Sequence, residues 1–238
     1  MRRLTATALA GICVLGAACG NSNKSSAPVP PSVKSGGGGS TSSTPPPPVA
    51  VSALDGLLLS PDQVNTAMGA SGMIVTETSN KMFDDTGRIS DKDCLFAFNG
   101  ELPVYAGSGW TTTREQYLQQ PGDKFTEEVD QSVSLFPAAT DAAAFFTTST
   151  KQWQSCSNRR FTFTPTGQSP VTYTVGPVSN TNGVLNARRT EEGGNGWNCQ
   201  RALTVRNNVA VDVSACSYKQ GDFAITVAHQ IAAKIPNK

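Results

Sequence analysis

The stretch GGNGWNCQRALTVRNNVAVDVSAC, residues 193–216, decides the fold. Two runs rich in Val, Ala, Leu and Thr, 199–206 and 209–216, flank Asn207-Asn208. Short β-prone runs joined by two residues that tolerate positive φ form a β-hairpin. A two-residue turn pairs Arg206 with Val209, and seven steps outward along each strand Cys199 meets Cys216. Cross-strand partners hold their Cβ atoms about 4.5–5.5 Å apart, and a disulfide prefers about 3.8 Å. Modest twist closes that gap, so the hairpin predicts a Cys199–Cys216 bond.

The other cysteines follow from this pair. The chain has six. Cys13 lies inside an N-terminal apolar run and Cys19 at its end. An even number of remaining cysteines in an exported domain implies two disulfides. By elimination Cys94 pairs with Cys156, tying the polar, irregular segment 79–100 to the end of a helix.

Working outward from the hairpin, residues 161–164, 171–175 and 184–190 are rich in Thr, Val and aromatics and predict three strands. Gly176-Pro177 and Asn182-Gly183 punctuate them. Residues 126–136 alternate, with Val129, Gln131, Val133 and Leu135 on one face and Asp130, Ser132 and Ser134 on the other. Residues 73–78 predict another strand, and 103–108 a short one. Ser60-Pro61-Asp62-Gln63 is a helix start, with Ser60 as cap, Pro61 in the first turn and Gln63 closing a capping box; the helix buries Val64, Ala67 and Met68 and stops at Gly69. Thr140-Asp141 opens a second helix through Trp153, with Ala142, Phe145, Phe146, Ser149 and Trp153 as its buried stripe. A third runs over 222–234, with Phe223, Val227 and Ile231 on one face. The expected fold is α+β: an antiparallel twisted sheet packed with about three helices and two disulfides.

The first 50 residues carry no such pattern. Residues 20–50 are polar, then Gly/Ser-rich over 35–43, then a proline run at 45–48, a composition with little to bury. Such a linker reaches roughly 30 Å as a coil. Before it, Arg2 and Arg3 precede an apolar run over 4–18 that is too short to span a bilayer. The run ends in Leu15-Gly16-Ala17-Ala18-Cys19, small residues before a cysteine, which resembles a bacterial lipobox. Gly16 stands where that motif usually has leucine. The same residues also fit an ordinary secretory signal cleaved after Ala18. Acylation of Cys19 is the preferred reading, because it removes an exposed thiol and supplies a stable anchor. The expected organisation is a signal over 1–18, a lipidated Cys19 and linker over 19–50, and one domain over 51–238, held at the outer side of the cell membrane.

Loss of Arg2 and Arg3 with the signal takes the net charge from +1 to −1. There is no basic field and no block of like charge, which excludes nucleic acid as a partner. The search for catalysis finds nothing to commit to. His229 is the one histidine, placed on the last helix, and no nucleophile elbow, zinc-protease or phosphate-loop motif occurs. Cysteine ligation of a metal would need reduced thiols, and no cofactor is implied. Asp84-Asp85 and Glu191-Glu192 are paired acids in polar, glycine-flanked segments, read as solvated turns; a two-carboxylate hydrolase is the alternative they leave.

Two glycine-rich aromatic segments are the candidate ligand site. One is Tyr105-Ala106-Gly107-Ser108-Gly109-Trp110 with Arg114 and Tyr117; the other is Gly193-Gly194-Asn195-Gly196-Trp197 with Arg201. Glycine lets backbone approach a ligand, and Trp with Arg suits stacking or anion contacts. The competing reading makes Trp110 and Trp197 core residues. The candidate binding set is Tyr105, Trp110, Arg114, Trp197 and Arg201.

At these segments, together with Gln116-Tyr117-Leu118, Gln152-Trp153 and Cys156, and the run 193–216, the chain resembles the extracellular sensor domain of mycobacterial PknH-type serine/threonine kinases over about residues 52–236. The resemblance implies an α+β domain with two disulfides, a ligand-binding cleft and no catalysis by the domain itself. A lipid anchor in place of a kinase domain and membrane helix implies that direct signalling across the membrane is not open to this chain. The expectation is a non-enzymatic envelope lipoprotein that binds an unidentified ligand. A module that docks an envelope protein is the alternative.

Overall fold

The computed structural model describes residues 46–236, apart from Asn99 and Asp123. The signal, Cys19 and the linker up to residue 45 lie outside the described residues. The strands are β1 (Ile74–Ser79), β2 (Thr112–Gln119), β3 (Glu127–Leu135), β4 (Arg160–Phe163), β5 (Val171–Val175), β6 (Ser179–Thr181), β7 (Val184–Glu191), β8 (Asn198–Arg206) and β9 (Val209–Ser217). The α-helices are α1 (Pro61–Met68), α2 (Leu102–Tyr105), α3 (Ala139–Trp153) and α4 (Phe223–Ala233). The strands form one antiparallel sheet in the order β1-β2-β3-β9-β8-β7-β5-β4. β6 pairs β7 beside β5 on the same edge, because Gly176-Pro177 interrupts what would otherwise be one strand.

The hairpin has the expected register, from Arg206 opposite Val209 to Cys199 opposite Cys216. Asn207 takes φ 50° at the turn. Both disulfides, Cys94–Cys156 and Cys199–Cys216, are present. Asn208 does more than turn the chain. Its side chain bonds both backbone groups of Val49, at 2.7 and 3.2 Å, and the carbonyl of Phe136 at 2.8 Å. Asn207 holds the carbonyl of Pro47 at 2.9 Å. The ordered body therefore reaches back to the last residues of the proline run, a little before residue 51.

Alternation in the central strands divides the core in two. One face of the sheet carries Val129, Val133, Val211 and Val213 against Ala224, Val227 and Ile231 of α4, with Val64 and Met68 of α1 beside them. The other carries Leu185, Leu203 and Ala210 against Ala142, Phe145 and Trp153 of α3 and Leu95 and Phe96 of the disulfide-tied segment. Each fully buried side chain of this size contributes roughly 1.5–3 kcal/mol. Helix α1 has the predicted capping box, with Gln63 N–H donating to Ser60 Oγ and Ser60 N–H to Gln63 Oε1, and it ends on Gly69 at φ 59°. α3 starts one residue earlier than expected. Ala138 occupies the cap position, and Asp141 accepts its N–H at 3.1 Å.

Two expectations need correction. Residues 103–108 are not a strand: Leu102–Tyr105 forms one helical turn, in which Pro103 fits because its missing N–H is not needed. Residues 112–119, assigned to no element from sequence, form β2, an eight-residue strand between β1 and β3. β6 was likewise unassigned.

Candidate functional site

Helix α3 covers only part of its sheet face. Towards the other end of β3, β9 and β7, the face opens into a cleft of about 620 Å³. Register explains its floor. Glu128, Cys216, Cys199 and Arg189 are successive neighbours across β3, β9, β8 and β7. One row further in lie Tyr117, Asp130, Ser214 and Arg201. Two-residue periodicity sends all of these side chains to the same face. Glu128, Asp130, Tyr117, Arg189 and Ser214 line the cleft.

The floor is a polar network. The Tyr117 hydroxyl donates to Glu128 Oε2. Burial raises the Glu128 carboxyl, while Tyr117 and Arg189 oppose the rise. The Arg189 guanidinium is buried, donates to the carbonyl of Ala97, and lies 4.5 Å from the Phe98 ring centroid and 5.8 Å from that of Tyr173. Asp130 adjoins Glu115 diagonally across β2 and β3. Each has a buried carboxyl oxygen without a hydrogen-bond partner. Burial, reinforced by Asp130, pushes the Glu115 carboxyl up to about 11, and burial raises Asp130 to about 7. Glu115 therefore keeps its proton at neutral pH, which lets the two adjacent buried carboxyls coexist.

The walls are aromatic. Trp197, Tyr218 and Phe125 cluster at one side of the mouth, with Trp197 5.0 Å from Tyr218 and 6.0 Å from Phe125 between ring centroids. Tyr218 is 50% exposed. Phe83, Phe98, Phe163 and Tyr173 form the other side. The glycine loop between β7 and β8 sets Trp197 in place. Gly193, Asn195 and Gly196 take positive φ, and the backbones of Glu191 and Trp197 close the loop at 3.0 Å.

The structure separates the candidate residues. Trp197 lines the cleft. Arg201 and Tyr105 come together, but in the core behind it: Arg201 is 1% exposed and pairs with Asp212, whose Oδ2 also accepts the Tyr105 hydroxyl at 2.9 Å. Arg201 donates to the carbonyl of Phe96 and lies 5.1 Å from the Trp153 ring centroid, so it fastens the disulfide-tied segment to the hairpin. Trp110 packs against the α3 side of the core. Arg114 points to the opposite sheet face, bonded to Asp55 at 3.0 Å beside a separate groove. Of the paired acids, Asp85 and Glu191 line the cleft, Asp85 bonded to Arg88 at 2.7 Å; Asp84 bonds Thr86, and Glu192 pairs with exposed Arg160. His229 is exposed on α4.

Sequence reasoning missed Glu128, Asp130, Arg189 and Tyr173. The signal was there: charges of both signs recur at alternate positions in central strands, which solvent exposure alone does not require. Glu128 also lies within reach of Cys199 and Cys216 sulfurs, but disulfide sulfurs are not thiolate ligands.

The model of the PknH-like extracellular domain family matches residues 49–234. Serine/threonine-protein kinase PknH of Mycobacterium tuberculosis is 38% identical over 191 residues, covering 80% of this chain and 30% of the kinase. The Mycobacterium bovis protein of the same name is also 38% identical over 191 residues, covering 80% of this chain and 31% of that one. The chain thus spans less than a third of the length of these relatives. The crystal structure of the extracellular domain of PknH from Mycobacterium tuberculosis superimposes with a TM-score of 0.75 at 36% identity, covering 79% of this chain and 97% of that chain. The fold, the two disulfides and these matches agree: this chain belongs to the PknH-like extracellular domain family.

Proposed function

We propose that the chain is a cell-envelope lipoprotein, anchored through Cys19 at the outer side of the membrane, whose domain is a non-enzymatic module that binds a small ligand in the cleft above Glu128, Asp130 and Arg189. The observation that carries this reading is the cleft itself. Tyr218 and Trp197 expose aromatic surface beside a polar floor, where a domain built only for stability would bury them. A volume of about 620 Å³ suits a small-molecule site. The acids Asp85 and Glu191, which left a hydrolase open, contribute to the walls, where Asp85 is held by Arg88 at 2.7 Å and its backbone N–H donates to Glu101 at 2.9 Å.

Native mass spectrometry of the chain after incubation with envelope extract tests the reading. The expected result is a discrete added mass that Trp197→Ala abolishes while the fold survives. An adduct unchanged in that variant moves the site away from the cleft, and an added mass of protein size supports a docking module instead. Palmitate labelling lost in Cys19→Ser checks the anchor.

A further inference from the structure

We infer that the cleft takes a neutral polyhydroxylated ligand, a short oligosaccharide, stacked on Trp197 and Tyr218 and hydrogen-bonded by Glu128, Asp130 and Arg189. This inference rests on the cleft reading above and names its ligand class.

Three observations carry it. The first is the shape of the apolar surface. Trp197, Tyr218 and Phe125 cluster at the mouth, Tyr218 inclined 59° and Phe125 69° to the Trp197 ring, with Tyr218 half exposed and the other two half-buried. Partly wetted rings set at an angle to one another suit a ligand of several linked units, each with one apolar face and polar edges, and a chain of sugar rings has that form. A lipid tail needs a dry tunnel, and here the floor beyond the rings is ionisable.

The second is the chemistry of the floor. Glu128, Asp130, Arg189 and Ser214 supply acceptors and donors on one plane of the sheet. Hydroxyl groups are donor and acceptor at once, so they satisfy such a mixed set where a purely cationic or anionic group would not.

The third is charge balance. Asp85 is bonded to Arg88 at 2.7 Å. Glu128 accepts from Tyr117 and feels the positive charge of Arg189. Asp130 adjoins the buried Glu115 diagonally across β2 and β3 rather than facing the cleft alone. A cation entering the cleft meets Arg88 and Arg189; an anion meets Glu128, Asp130 and Glu191. Arg88 and Arg189 answer Asp85 and Glu128, and Glu191 is a lining acid without an ion pair among the described residues, so on the floor of the cleft selection falls to hydrogen bonds and stacking.

The test uses the full chain in a detergent without a sugar headgroup. The probes are neutral gluco-, manno- and galacto-oligosaccharides two to six residues long, with spermine, inorganic phosphate and oleate as charged or lipidic competitors. Binding is read by calorimetry and tryptophan fluorescence. The expected result is saturable binding of at least one neutral series, weakened about tenfold or more by Trp197→Ala, Tyr218→Ala and Asp130→Asn, and unchanged by Ile74→Thr on the exposed edge of β1. Folding of each variant is checked by its near-ultraviolet circular dichroism. No binding of any neutral series at about 10 mM overturns the inference. Binding of spermine or oleate alone, lost in Trp197→Ala, overturns the ligand class and leaves the cleft as the site. Oligosaccharide binding that survives both aromatic substitutions overturns the cleft as its site.

Discussion

Beneath α4 the sheet presents Val129, Val133, Val211 and Val213 to Ala224, Val227 and Ile231, and the buried Gln131 uses its amide on both backbone groups of Leu59, at 2.9 and 2.8 Å. The opposite face of the sheet presents Glu128 and Asp130 on β3, Asp212 on β9, Arg201 on β8 and Arg189 on β7, all but Glu128 almost fully buried. The first face is a conventional apolar core. The second carries charges whose desolvation has to be offset by pairing, and buried pairs of this kind are weak sources of net stability. Half of that face is closed by α3 and half opens as the cleft. The α4 face is thus held mainly by apolar packing, whereas the other joins an apolar core under α3 to charged groups that reach the cleft, with the Arg201–Asp212 pair as the boundary between closed and open halves.

The largest expected effect probes that boundary. Asp212→Ala leaves Arg201 buried without its carboxylate and the Tyr105 hydroxyl without its acceptor. The expected loss is about 3–5 kcal/mol in urea unfolding. Replacing both partners together, Arg201→Met with Asp212→Leu, should recover most of it. If the double variant is as unstable as Asp212→Ala, the pair itself is a main source of stability and the division between faces fails. On the α4 face, Ile231→Ala should cost about 2–5 kcal/mol by leaving a cavity, with no double variant of charge to rescue it.

The disulfides sharpen the comparison next. Cys94–Cys156 closes a loop with a sequence separation of 62, and Cys199–Cys216 one of 17. Loop entropy alone gives roughly 4 kcal/mol for the first and roughly 3 kcal/mol for the second. The second also joins strands already paired along their whole length, so its measured value should fall further below the entropic figure. Paired Cys→Ser substitutions, compared by thermal unfolding, should rank in that order. The reverse order would mean that the disulfide-tied segment is held mainly by Arg201 and Arg189.

The two faces also differ in how far they can be read from sequence. The β8–β9 hairpin was legible because turn, alternation and cysteine register agree, and α1 and α4 because capping residues and apolar spacing agree. β2 was not, since TTREQYLQ shows no apolar alternation: Thr113, Glu115 and Tyr117 point into the polar face, where buried side chains look like surface ones. The cleft was half legible for the same reason. The glycine loop announced Trp197. Asp130 was assigned to a face opposite the valines, but that face is buried, and only the pairing of β3 with β9 and β2 brings its charges together. Arg201 was legible as unusual and misplaced, because its partner Asp212 lies on the neighbouring strand.

The raised buried carboxyls give a smaller, pH-dependent effect confined to the cleft side. Glu115 and Asp130 have folded-state pKa values raised by burial, to about 11 and about 7, with Asp212 and Glu101 as nearby acids that add to the rise at Glu115. A raised carboxyl binds its proton more tightly in the folded state, so its contribution is complete below the unfolded value, near 4, and is lost as pH climbs through the folded value. Stability should therefore fall from about pH 4 upward, with both groups contributing as far as about pH 7, the end of the Asp130 window, and Glu115 alone from there towards about pH 11. Glu115→Gln keeps a donor for Asp130 without a second ionisable group and should flatten that slope. An unchanged slope would place the titration elsewhere, with Glu101, raised by burial to about 8, the next group to remove.

The smallest effects separate folding from binding most directly. Ser60→Ala removes the α1 cap on the apolar side and should cost about 1 kcal/mol of stability, with oligosaccharide affinity unchanged because α1 lies across the sheet from the cleft. Trp197 is partly exposed, and its ring contacts are with Phe125 and Tyr218 at the mouth. Trp197→Ala should lower stability by less than about 1 kcal/mol while abolishing most of the affinity. The two variants thus predict opposite patterns, one a shift in the unfolding midpoint with normal binding, the other a normal midpoint with lost binding. Should Trp197→Ala unfold the domain as readily as a core truncation, the aromatic cluster is part of the fold's support, and its exposure would no longer argue for a ligand.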